Sequence, residues 1–496
     1  MNLLSSKNIT QANAKIKPNT KNQTSTIGIV HLGFGAFHRA HQALITDTLM
    51  REIGGDWKIV GVNWGGVDVK SQLNPQDNLY TVGIGYNEDL SLHIVGSVDH
   101  IINSDECDEV LKYMYNRDVK VVSLTITEKG YCHNPANGRL NLEHPWIIHD
   151  LINLDKPKSA IGYLINAIQY RRNNNIAPFT PLTCDNLPEN GHVLEQVVLD
   201  FAEAYDSELC AWIKTNIKFP CTMVDRIVPR TTEADVNKIE QALGLVDHAC
   251  VMTEPFLQWV IEDKFINERP AWDQTSISNV IFTNNVVPFE EMKLRLLNGT
   301  HSAIAYLGYL AGYQTVSETM NDDKFKTFIR YLMDIEISPS IHIKDIDLIA
   351  YKNALIERYE NTALQHRTWQ IAMDGSQKIP QRWLETIQYD IDHDIQIEGL
   401  CLALAAWINY TSSIDEHGND IDVQDPLKER FAKIWASNKD LESLIHAFLS
   451  IEEIFNKKIS TNETFKANLL SALNILNELG AKESVHQFVI NKKEII

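Results

Sequence analysis

Residues 26–53 read TIGIVHLGFGAFHRAHQALITDTLMREI, and the fold turns on how this stretch divides. Residues 26–32 are a short apolar run of the kind that forms a buried strand. GFGAF follows, and then RAHQALITDTLMREI repeats its apolar residues at helical spacing. A strand, a glycine turn and a helix, in that order, are where a dinucleotide-binding fold places its phosphate loop. Gly33 permits the tight turn and Gly35 lets the backbone approach a pyrophosphate. The first N–H groups of the helix then face the anion. The third glycine of a GxGxxG pattern is absent, because His38 stands there. Two glycines also suit an ordinary strand-to-helix turn, so the motif alone is a weak signal. Arg39, in the first helical turn, is read as adding charge to the phosphate site; the alternative is a surface arginine.

Working outward, WKIVGVNW (57–64) has the spacing of the second strand of a βαβ unit. The next acid is Asp68. It is placed to accept hydrogen bonds from an adenosine ribose and to disfavour a 2′-phosphate, although Lys70 pulls the other way. The alternative is a solvated loop aspartate. LYTVGIG and LSLHIVGSV predict a β-hairpin within 79–98. VKVVSLTIT (119–127), PFTPLTC (178–184) and PCTMVDRIV (220–228) predict later strands. After about residue 284, strand-like runs become scarce and helical periods such as KFKTFIRYLMDIE, LKERFAKIWA and NLLSALNILNELG dominate. The expectation is an α/β chain: a flexible polar arm over 1–25, a Rossmann-type dinucleotide-binding domain over 26–283, and a mainly α-helical domain over 284–496.

The chain has 496 residues and a formal net charge of −20. That charge argues against a nucleic-acid backbone as partner and, more weakly, against anionic membranes. No run of about 18 apolar residues suggests a membrane span, and the first residues lack the apolar core of a signal peptide. A cytoplasmic location is expected. The seven cysteines are odd in number and never form CxxC, which suits free thiols in a reducing compartment. No HExxH or paired Cys/His spacing supports a metal site, so none is expected.

The stretch EEMKLRLLNGTHSA (290–303) sets three polar residues, Lys293, Asn298 and His301, in apolar surroundings. On one α-helix, Lys293 and His301 would stand about 80° apart and roughly 12 Å along the axis. Asn298 and His301 are neighbours at i, i+3. Burial lowers a lysine's pKa toward neutrality, which is the property wanted of a general acid/base. The alternative is a lysine snorkelling to a helix end and a satisfied core histidine. Arg295 points elsewhere and reads as structural. A second polar cluster, CDNLPENG (184–191), follows a strand, with Asp185 or Asn186 placed to donate or orient; its composition also suits a plain turn. Asp225 is an acid inside an apolar run, its alternative being an ion pair with Arg226.

HLGFGAFHRAHQA, TITEKGYC, CDNLPENGHV, FPCTMVDRIVP and VPFEEMKLRLLNGTHSAIAYLGYLAGY together resemble the long-chain polyol dehydrogenases, the mannitol dehydrogenase family. The resemblance runs from about residue 26 to the C-terminus, and its K-x4-N-x2-H signature is specific. TEKGYC, EPFLQWVIEDKF, HRTWQIAMDGSQKIPQRW and DEHGNDIDVQDP look more like the fructuronate-reductase branch than the mannitol 2-dehydrogenases. The resemblance implies NAD(H), no metal, and hydride transfer between a secondary alcohol and a ketone. Lys293 would be the general acid/base, Asn186 and Asn298 would polarise the oxygen, and His301 would bind a substrate hydroxyl. Glu290 would pass the proton to solvent and Asp225 would orient substrate. Gly33, Phe34, Gly35, Phe37, Arg39 and Asp68 form the expected cofactor set. A uronate carboxylate needs a cation; Lys129, at a strand C-terminus, is the first candidate and Arg367 the second. The expected partner is a small sugar acid or polyol, with no nucleic acid and no membrane. The sequence assigns no oligomeric state. The other readings are a mannitol 2-dehydrogenase and a non-catalytic NAD-binding sensor.

Overall fold

The computed structural model describes residues 1–18, 26–134, 137–277, 279–344 and 346–493. The chain forms two compact units, Met1–Val287 and Pro288–Ile496. The first contains β1 (Ile27–Leu32), β2 (Lys58–Asn63), β3 (Tyr80–Tyr86), β4 (Asp89–Val95), β5 (Val98–Asn103), β6 (Val121–Leu124) and β7 (Thr180–Thr183). It also contains β8 (Thr222–Asp225), β9 (Val251–Thr253), β10 (Gln258–Glu262) and β11 (Val280–Thr283). The main sheet runs β5-β2-β1-β6-β7 and is parallel throughout. β1 and β2 carry apolar residues on both faces because helices cover both faces of a parallel sheet. The chain leaves β1 for β2 on one side and returns to β6 on the other. The β1/β6 boundary is therefore the switch point, where such folds open a ligand crevice at the strand C-termini.

The expected hairpin is β3 with β4, and β9 extends it. β8, β10 and β11 form a third small sheet. The three later strands are each shorter than the apolar runs that announced them. After Leu124, the N–H groups of Ile126 and Thr127 leave the ladder for the carboxylate of Asp185, and Thr127 turns to φ 62°.

The expected free arm is corrected for residues 1–18. Leu4, Ile9 and Ala12 are buried. Leu4 N–H donates to Val246 O at 2.9 Å, and Ile94 N–H donates to Ile16 O at 2.9 Å. Three apolar residues spaced along a polar segment suffice to seat it, since each removes surface from water. Residues 19–25 of that arm lie outside the described residues.

Among its described residues the second unit is helical. Helices Thr300–Leu310 and Glu398–Tyr410 are buried around most of their circumference, as expected of helices that are apolar all round. No helix among the described residues is long and apolar enough to cross a membrane.

Candidate active site

The first element of the site is the glycine turn at the β1 C-terminus. Gly33 adopts φ +94°, and a Cβ there would fall 2.0 Å from Thr125 O, the residue just beyond β6. Only glycine fits at the switch point. Its N–H donates to Val62 O at 3.0 Å. Gly35 differs: a Cβ there would meet only Gly33 O, at 3.8 Å, and the residue is exposed. The protein's own packing does not require glycine at 35, but the bare backbone leaves the open side clear for a pyrophosphate. The turn thus fits a dinucleotide.

Two members of the expected cofactor set face inward. Phe34 is buried, its N–H donates to Val62 O at 2.9 Å, and its ring fills the space where Gly61 lacks a side chain. Arg39 is also buried. Its guanidinium donates to Ala249 O and lies 5.9 Å from the Tyr80 ring centroid. The charge expected at the phosphate site is spent bracing the core. Arg226 is spent in the same way, donating to Ala40 O at 2.5 Å and to Glu254 O at 2.8 Å. Phe37 is half-buried and stacks on His41 at 4.9 Å. Asp68 caps the helix Val69–Leu73 by accepting from Ser71 N–H at 3.0 Å. Lys70 pairs with Glu106.

Behind the turn, His31 bridges Ser123 and Thr125 at 2.8 Å each, and His38 stacks on it at 3.4 Å. Burial lowers the His31 pKa to about 3. Burial, then the charges of its neighbours His31, His41 and Arg39, pushes His38 well below the usual histidine range.

The loops after β6 and β7 are clamped together by Asp185. Its carboxylate accepts from Ile126 N–H at 3.0 Å, Thr127 N–H at 2.8 Å and Tyr131 Oη at 2.8 Å. Burial raises its pKa. Asp185 thereby fixes the segment that carries Asn186. Lys129 is exposed on the clamped turn Thr127–Gly130. Asp225 ends β8 and is buried.

In the second unit, EEMKLRLLNGTHSA is not one regular α-helix. Residues Val287–Met292 are α-helical, Lys293–Gly299 form a π-helical turn, and Thr300–Leu310 resume the α-helix. A π-turn takes up about one further residue, close to 100° of rotation, so the Lys293–His301 offset falls from about 80° to about 20°. The turn therefore brings both side chains onto one face. Side-chain donors hold it open. Leu297 O accepts from Tyr359 Oη at 2.8 Å, Asn298 O from Arg382 Nη1 at 3.3 Å and Gly299 O from Trp383 Nε1 at 2.9 Å. Arg382 and Trp383 lie in a second π-turn, Pro380–Leu384, which begins at a residue with no N–H to donate.

Lys293 and His301 are buried, with 8% and 7% exposure; Asn298 and Glu290 are half-buried. His301 stacks on Tyr359 at 5.2 Å and meets His366 edge-on at 4.9 Å. Its Nε2 has no hydrogen-bond partner among the described residues. A buried nitrogen left so is costly unless a ligand supplies the partner. Burial, then the positive fields of His366, Arg382, Arg358 and Lys378, holds the imidazole well below its usual pKa. His366 is itself lowered to about 4, mainly by burial. Arg367 is half-buried and precedes the helix Thr368–Ala372.

Comparison with known proteins decides the family. The mannitol dehydrogenase Rossmann domain matches residues 27–274, and the mannitol dehydrogenase C-terminal domain matches residues 285–477. The chain belongs to the mannitol dehydrogenase family. It is an oxidoreductase acting on CH–OH groups. It is 45% identical to the D-mannonate oxidoreductase of Escherichia coli K12 over 92% of this chain and 94% of that one. It is 44% identical to the uncharacterized oxidoreductase YeiQ of the same organism, over 94% and 95%. Among solved structures, it is similar to Pseudomonas fluorescens mannitol 2-dehydrogenase in ternary complex with NAD and D-mannitol. That match has a TM-score of 0.86 and 37% identity, and covers 98% of this chain and 99% of that one.

For a mannitol dehydrogenase family chain, the sequence pattern singled out the polar trio and the glycine turn. It missed Arg358, Lys378 and Arg382, whose charges help hold the His301 pKa down. Two of these lie in HRTWQIAMDGSQKIPQRW, where a lysine and an arginine flank Pro380. That local signal gives no direction in space.

Proposed function

We propose that the protein catalyses the NAD-dependent, reversible reduction of D-fructuronate to D-mannonate. The observation that carries this reading is the positive charge around His301. Arg358, Lys378 and Arg382 are near enough to depress its pKa, and Arg367 follows His366 in the chain. A carboxylate substrate gains charge-assisted hydrogen bonds from such a cluster, whereas a neutral polyol gains much less. Lys129, exposed on the turn after β6, is a further candidate for the carboxylate. The 45% identity with D-mannonate oxidoreductase supports the reading. The 44% identity with a relative of uncharacterized activity means that identity alone does not choose the sugar.

Bound NADH supplies the hydride. Gly33 and Gly35 present backbone to the pyrophosphate, and Asp68 accepts from the ribose hydroxyls. Lys70, already paired with Glu106, is withheld from a 2′-phosphate, which favours NAD. As negative charge grows on the substrate oxygen, the amides of Asn186 and Asn298 donate to it. Lys293 then gives its proton to that oxygen, and Glu290, one turn earlier, replaces it from solvent. His301 stays neutral and offers Nε2 to a substrate hydroxyl, while Asp225 orients the chain of hydroxyls. Reduction needs Lys293 charged and oxidation needs it neutral, so oxidation has the higher pH optimum.

The test is a side-by-side reductase assay with NADH. The expected result is a kcat/KM for fructuronate at least about tenfold above that for fructose. The second reading is mannitol 2-dehydrogenase, favoured by the 37% identity to the Pseudomonas fluorescens enzyme. Preference for fructose would establish it and sink the first. Complete inactivity on a polyol and uronate panel would support a non-catalytic NAD sensor.

A further inference from the structure

A second group of ligating side chains in the first unit has no part in this reaction. His192, Cys221 and Glu262 each bring one ligand atom to within 4.8 Å of the others. They come from three segments. His192 lies in the first turn of helix Asn190–Tyr205, Cys221 precedes β8 and Glu262 ends β10. β8 and β10 pair antiparallel with Thr222 opposite Ile261. That register sets Cys221 against Glu262, and Cys221 N–H donates to Glu262 Oε2 at 3.2 Å. Asn190 ties the helix to the same strand. Its Nδ2 donates to Thr222 O at 2.9 Å, and its Oδ1 accepts from Thr222 N–H at 2.9 Å. Cys221 and Glu262 are buried, while His192 is exposed. The group therefore has a buried floor and an open mouth.

We propose that His192, Cys221 and Glu262 bind a thiophilic divalent cation of the zinc class, with water as fourth ligand. Thiolate, imidazole and carboxylate are the donors zinc takes, and three protein ligands plus one open position is a common arrangement for it. Glu189 Oε1 lies 3.2 Å from His192 Nδ1 and is placed to orient the ring, as carboxylates behind metal-bound histidines do. Lys264 now pairs with Glu262, and its side chain is 52% exposed. Its ammonium shows that the position already attracts positive charge. It leaves for solvent at little cost when the metal enters, and the Cys221 thiol releases its proton. The bound ion would pin the start of helix Asn190–Tyr205, directly after the segment that carries Asn186. Asp225 stands at the opposite end of β8 from Cys221, so the ion would act as a clamp and not as a reactant.

The experiment titrates Co²⁺, then Zn²⁺, into the chelator-treated full-length protein. The expected result is one equivalent of Co²⁺ with a thiolate-to-cobalt charge-transfer band, displaced by Zn²⁺, with a rise in Tm. Cys221→Ser should abolish the band. His192→Ala changes only an exposed side chain, and should bind at least about tenfold more weakly with its fold intact. Lys264→Met, lacking the competing ammonium, should bind more tightly. No band at one equivalent overturns the site. So does a band that persists in Cys221→Ser, or wild-type affinity in His192→Ala.

Discussion

The turn at Gly33–Gly35 and the turn at Lys293–Gly299 place functional groups by opposite devices. The first removes side chains. Gly33 fits because a Cβ would strike Thr125 O, and Gly35 leaves a bare surface. The second adds a residue to a helical turn and supports the carbonyls it displaces with Tyr359, Arg382 and Trp383. Each backs onto a pair of neutral histidines, His31 with His38 and His301 with His366. A turn made by omission depends on what is absent at two positions in three. A turn made by insertion depends on donors contributed from about 60 to 85 residues away.

The sharpest way to separate the two is Lys293→Ala. Loss of the proposed acid/base should lower kcat by about 10²–10⁴-fold with NADH binding retained. Near-normal turnover would remove the π-turn from the chemistry. Next in size is Gly33→Ala, which combines a left-handed backbone with a clash against Thr125 O. It should cost about 2–4 kcal/mol of stability in denaturant titration. Tyr359→Phe removes the donor to Leu297 O and the hydroxyl that shares a hydrogen bond with Thr300 Oγ1. A loss of about 1–2 kcal/mol, with a fall in kcat and an unchanged KM for NADH, is expected. If KM for NADH rose instead, the two turns would not be independent. Gly35→Ala should do the reverse. Stability should stay within about 0.5 kcal/mol, while KM for NADH rises about tenfold. An unchanged KM would mean that the open space above Gly35 is not the pyrophosphate site.

The smallest effect concerns pH. Burial depresses the pKa values of His31, His38, His301 and His366 in the folded state, so all four stay neutral there while they charge in the unfolded chain below about 6.5. The unfolded state then binds more protons, and stability falls as pH drops through 6.5 toward 4. Above 6.5 these groups add no slope, and the rate profile should show no histidine step between 6 and 8. A step there that vanished in His301→Asn would contradict a neutral His301.

The fold was legible where one segment carried its own instruction. The apolar run, Gly33 and the following helical period predict β1 and the glycine turn that leads into a helix. The loss of strand-like runs after residue 284 predicts the helical second unit. The side chains of Phe34 and Arg39 face inward for a specific reason. They lie in the right turn, but their surroundings, Gly61, Val62 and Ala249, come from elsewhere in the chain. The polar trio is visible as chemistry, but residue spacing gives the rotation of a regular α-helix, and the π-turn Lys293–Gly299 changes it.

The sequence by itself determined the order of elements, the glycine turn and the identity of the polar residues in the apolar helix. These follow from backbone sterics and residue chemistry within a few positions. Only the tertiary structure decided that Lys293 and His301 share a face, that His301 is neutral in the positive field of Arg382, Arg358 and Lys378, and that His192, Cys221 and Glu262 meet. Burial, through-space charge and the donors that hold a π-turn all come from residues far apart in the chain. Their separation in space is set by packing, which local spacing does not encode.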